Sequence, residues 1–70
     1  MDQNLISIIL SSRNGKRMSI TVNLTDKISN VKRQYKQERA IWNYMGQILE
    51  DTKTLNDYEI GEGDCIITNL

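Results

Sequence analysis

The sequence predicts an α+β domain in which one helix lies across one face of a small mixed sheet of four to five strands. Three observations predict it. Two segments near the start alternate apolar and polar residues around Asn14-Gly15. A single stretch with helical spacing follows them. The remainder returns to short β-branched and aromatic runs punctuated by glycine.

With 70 residues the chain is read as one domain over 1–70, and a domain this small buries only roughly 60% of the surface its unfolded chain exposes. Each core residue therefore carries weight. Nine basic and nine acidic residues cancel, which removes the broad positive field on which nucleic-acid and membrane-surface proteins rely. Partners are expected through local patches. Cys65 is the single cysteine and histidine is absent. That composition excludes an internal disulfide framework and a cysteine metal cluster, and it removes the commonest general base. No cofactor and no enzymatic role are expected. The apolar run Ile8-Ile9-Leu10 is too short for a membrane span or a signal segment, so a cytoplasmic or nuclear protein without membrane partners is the expectation.

The elements follow in order. Leu5 to Leu10 is a strand that alternation divides into Ile6, Ile8 and Leu10 on the core face and Ser7 and Ile9 on the other. Asn14-Gly15 turns the chain, and Met18 to Leu24 forms a second, antiparallel strand with Met18, Ile20 and Val22 facing the core. Thr25-Asp26 offers an N-cap. Ile28, Val31 and Tyr35 then make one helical stripe, and Lys32, Arg33, Lys36 and Arg39 occupy the other sides as a solvated face. Ile41 to Met45 reads as a third strand. Either Trp42 and Tyr44 or Ile41, Asn43 and Met45 face inward, and the larger apolar area of the first pair favours it. Gly46 closes that strand, and Ile48-Leu49 forms a very short fourth. Leu49 to Ile60 is a connector whose Leu49, Leu55, Tyr58 and Ile60 demand burial although they fit neither periodicity. Its Asp51, Thr54, Asn56 and Asp57 favour turns. Gly61 to Asp64 turns again, and Cys65 to Leu70 is the terminal strand.

Cys65 has no histidine to activate it and no second cysteine to resolve a disulfide, so it is read as a small strand residue. The acidic residues Asp51, Asp57, Glu59, Glu62 and Asp64 do not meet the calcium-loop pattern. Turn chemistry accounts for them.

The connector carries a resemblance. Leu49-Glu50-Asp51, Thr54-Leu55, Asp57-Tyr58 and Ile60 are similar to the segment past the third strand in the ubiquitin family, supported by Gly15-Lys16, Asp26, Ile28, Asn30-Val31-Lys32 and Gly46. The likeness spans nearly the whole chain. It implies the β-grasp fold, with the first and last strands parallel at the centre of the sheet. It also implies a Tyr58 ring set into the connector, with its hydroxyl bonded to backbone near Glu50.

Four departures shape the functional expectation. The sequence closes on Asn69-Leu70 rather than the family's Gly-Gly tail, so conjugation is not expected of the chain as it stands. Arg13, Asn43 and Asn69 replace the family's leucine, isoleucine and valine contact patch, and an apolar receptor would have to desolvate them unpaired. The helix-to-strand connection is several residues shorter than the family's, so Gln37-Glu38-Arg39 must both end the helix and start the strand. Gln47 and Glu62 stand at the two most-used linkage lysines, while Lys16 and Lys32 remain.

These readings lead to a sheet-face site. Ile9, Ile41 and Ile67 are expected to form an exposed apolar row rimmed by Arg13, Asn43, Gln47 and Asn69, a surface for protein partners. Against it stands the bland reading that scattered surface isoleucines need no explanation. The expected role is a non-enzymatic ubiquitin-like protein-binding domain, either free-standing or part of a larger protein or complex. The alternatives are a modifier or fusion leader whose tail or downstream protein is absent, and a nucleic-acid binder through Lys32, Arg33, Lys36 and Arg39, which neutral composition disfavours.

Overall fold

The computed structural model describes residues 4–70. Five strands form one sheet: β1 (Leu5–Ser12), β2 (Arg17–Asn23), β3 (Trp42–Tyr44), β4 (Gln47–Ile48) and β5 (Cys65–Thr68), ordered β2-β1-β5-β3-β4. β1 and β5 run parallel and the other neighbours antiparallel. One helix, α1 (Ile28–Gln34), covers one face. Among the described residues no helix is long and apolar enough to cross a membrane.

Strand alternation creates the core as expected from β1 and β2. Ile8 and Leu10 of β1, Ile20 and Val22 of β2, Trp42 of β3 and Ile66 of β5 meet Ile28 and Val31 of the helix, all buried. Trp42 and Tyr44 are the inward pair of β3, with Tyr44 partly covered. Met18 corrects the expectation. It is paired with Leu10 yet is 46% exposed, because the helix is too short to reach it. Seven helical residues span about 10 Å, whereas the eight of β1 span about 26 Å.

The helix start is also a correction. Thr25 and Asp26 do not cap it; Lys27 is the N-cap, and no side chain bonds there. The Thr25 amide and hydroxyl instead donate to Asn23 Oδ1, which holds Thr25 in the preceding turn. The exposed amides of the first turn find the connector. Ile28 N–H donates to the Lys53 carbonyl at 2.8 Å and Ser29 N–H to that of Asp51 at 3.2 Å. Backbone of a distant segment thus replaces a side-chain cap, satisfying donors that a helix must leave open.

The connector buries Leu49, Leu55 and Ile60 through a single 3-10 turn, Asn56–Tyr58. Thr54 N–H donates to Asp57 Oδ2 while Asp57 N–H donates to Thr54 Oγ1, a reciprocal pair of side-chain-to-backbone bonds that fixes the turn. Glu50 N–H donates to the Tyr58 hydroxyl at 2.8 Å, the contact implied by the family resemblance. Core residues fit neither periodicity here because the segment seals one end of the domain rather than lying along it.

Lys32 is a further correction. It is only 5% exposed, since its position on the helix turns it toward the connector. Its ammonium lies 2.8 Å from Asp51 Oδ1 and 5.8 Å from the centre of the Trp42 ring. Lys36 and Arg39 lie beyond the helix, so the four basic residues do not form one solvated helical face. The helix closes in a Schellman motif: Gln37 N–H donates to the Lys32 carbonyl at 2.7 Å and Lys36 N–H to that of Arg33 at 3.3 Å, with Lys36 left-handed at φ 59°.

Candidate functional site on the outer sheet face

The outer face is assembled by pairing register. Ile67 of β5 lies between Ser11 of β1 and Asn43 of β3, and Asn43 is paired with Ile48 of β4. Directly opposed residues share a face, so Ser11, Ile67, Asn43 and Ile48 form a row across four strands. Ile41, immediately before β3, joins it at one end. Asn69 holds that corner: Ile41 N–H donates to Asn69 Oδ1 at 2.8 Å, and Asn69 N–H returns a bond to the Ile41 carbonyl at 3.2 Å.

The result is a shallow groove of about 600 Å³ lined by Arg13, Ile41, Asn43, Gly46, Ile48, Ile67 and Asn69. Ile41, Ile48 and Ile67 are 52%, 62% and 51% exposed. Three large apolar side chains, each about half exposed, thus meet at a single groove. The Arg13 and Asn43 side chains have no hydrogen bond or ion pair among the described residues, so the rim carries free donors.

Of the seven residues expected at this site, the groove gathers Arg13, Ile41, Asn43, Ile67 and Asn69. Ile9 is half-buried and pairs with Cys65 and Ser19, two positions along the strands from Ile67. Gln47 is opposed to Tyr44 and shares its side of the sheet. Neither lines the groove. Gly46 and Ile48 were missed, although a signal for Ile48 exists. A two-residue turn at Met45-Gly46 fixes Tyr44 opposite Gln47 and Asn43 opposite Ile48, which turns Ile48 outward with Asn43.

Behind the groove a polar clasp steadies β3. The Tyr44 hydroxyl donates to Asp64 Oδ2 at 2.7 Å, and Gly61 N–H donates to the same oxygen at 2.8 Å. The Gly61 amide, then the Tyr44 hydroxyl, hold the Asp64 carboxyl below its ordinary range. Its bond to Asp64, aided by desolvation and the neighbouring negative charges of Asp64 and Glu59, pushes the Tyr44 phenol up. Both directions keep the clasp intact at neutral pH.

A five-stranded mixed sheet with parallel central strands and one crossing helix defines a β-grasp domain. Residues 8–70 match the Ubiquitin family, and the chain belongs to that family. No curated protein sequence matches it.

Proposed function

We propose that the outer-face groove is a docking surface for a protein partner that presents an apolar side chain flanked by hydrogen-bond acceptors. The observation that carries this reading is the convergence of Ile41, Ile48 and Ile67 beside the free donors of Arg13 and Asn43. An apolar centre with a polar, arginine-bearing rim is the usual anatomy of a specific interface. Asn43 and Asn69 disfavour partners that bury a wholly apolar surface, because unpaired amides would be costly to dehydrate. Binding of this kind requires no covalent attachment.

The test is a pair of aspartate substitutions, Ile48→Asp and Ile67→Asp, in a chain whose partner has been captured and then purified. Both residues are exposed, so the thermal transition should stay within a few degrees of wild type. Affinity for the purified partner should fall at least about a hundredfold, the loss expected when apolar hot-spot contacts are replaced by charge. Unchanged affinity in the folded double variant would overturn the proposal.

A further inference from the structure

The structure carries a second hollow, on the helix side of the sheet and independent of the outer-face groove. It exists because the short helix leaves one end of the apolar sheet face uncovered, at the place where Met18 was expected to be core. Its volume is about 640 Å³. Leu10 and Thr68, both buried, form the floor, and Met18 and Leu70 are exposed apolar walls. Gln37, from the shortened connection after the helix, closes one side. The Ser12 hydroxyl donates to the Leu70 carbonyl and ties the walls together.

The charges at this hollow are one-sided. Lys16 and Arg17 line it, and no Asp or Glu side chain does. The two ion pairs among the described residues are Lys32 with Asp51 and Lys53 with Glu50, so neither Lys16 nor Arg17 is ion-paired among them. Glu38, which follows the lining residue Gln37 in sequence, lines a separate hollow with Ser29, Lys32, Arg33 and Asp51. In a chain of zero net charge, an apolar cleft bordered by two basic side chains and no acidic one is a local asymmetry that favours an anionic ligand.

We infer that this hollow takes an acidic segment of a protein partner, with an aliphatic side chain seated on Leu10, Met18 and Leu70 and adjacent carboxylates on Lys16 and Arg17. Aliphatic burial supplies affinity and the two charges supply orientation. The same cations would attract a nucleic-acid backbone, but no aromatic side chain lines the hollow to stack a base. The apolar floor therefore favours the peptide.

The experiment uses the folded chain and a capped peptide of sequence Asp-Glu-Leu-Leu-Asp-Glu, with Asn-Gln-Leu-Leu-Asn-Gln and a short oligouridylate as comparators. Methyl shifts of Leu10, Met18 and Leu70 should move on titration with the acidic peptide, while those of Ile41, Ile48 and Ile67 stay in place. The double charge reversal Lys16→Glu with Arg17→Glu, at exposed positions, should weaken binding at least about tenfold, and 0.5 M salt should weaken it in wild type. Equal binding of the amide peptide, tighter binding of the oligouridylate, shifts confined to the outer face, or affinity unchanged by charge reversal would each overturn the inference.

Discussion

Gln37 shows how one side chain can fix several elements. Its Oε1 accepts from the Trp42 indole N–H at 3.3 Å and from the Thr68 hydroxyl at 2.8 Å, joining the helix connection to β3 and β5. Both donors are buried, so Gln37→Ala strands them and should cost about 1–3 kcal/mol in urea unfolding, with Gln37→Glu recovering much of the loss because it keeps the acceptor. A loss no larger for alanine than for glutamate would contradict this role. Asp64 gives the pH dependence. Its folded carboxyl lies below the ordinary value, so its stabilisation is present above that value and disappears as pH falls through the lower folded one. The urea midpoint of wild type should therefore fall more steeply between about pH 5 and 2 than that of Asp64→Asn; equal slopes would show the clasp to be inert. Neither role was legible in the sequence. Gln37 was read only as part of a shortened connection and Asp64 only as a turn residue, because their partners lie 31 and 20 positions away, respectively, for Thr68 and Tyr44.

At the scale of elements, strands were legible and ends were not. Alternation in β1 and β2 follows directly from which residues can share a buried face, and it predicted Ile8, Leu10, Ile20 and Val22 correctly. The helix stripe identified Ile28 and Val31 for the same reason. The helix start escaped because its cap is connector backbone, Lys53 and Asp51, which no local motif announces. Its other end stores strain. Lys36 adopts φ 59° at a position that favours glycine, and a left-handed conformation costs an ordinary residue about 1 kcal/mol. Lys36→Gly should consequently gain about 0.5–1 kcal/mol after the entropic cost of glycine, or a few degrees in Tm; a lower Tm would show that the lysine side chain contributes more than the strain removes. The Tyr35 hydroxyl protects the long free edge of β2, donating to the Thr21 carbonyl at 2.8 Å and accepting from its N–H at 3.2 Å. That edge is thereby less open to pairing with another chain.

The whole molecule divides labour between its two ends and its two faces. The connector caps the helix and packs Leu49, Leu55, Tyr58 and Ile60 into the core, within the residues 8–70 that match the Ubiquitin family. On the outer face Arg13, Asn43 and Asn69 border the three isoleucines. Five of the groove residues could be read from sequence because face and strand order follow from the fold. Ile9 lies along its strand from the groove because register, which alternation leaves open, sets that position, and Gln47 falls on the other face because the turn sets it opposite Tyr44. The central claim is that this groove is where partners dock. Its most direct measurement is the methyl spectrum of the chain titrated with its purified partner. Shifts and broadening should concentrate at Ile41, Ile48 and Ile67 and be absent in the folded Ile48→Asp, Ile67→Asp variant at the same partner concentration. Perturbation centred elsewhere, or surviving intact in that variant, would contradict the account.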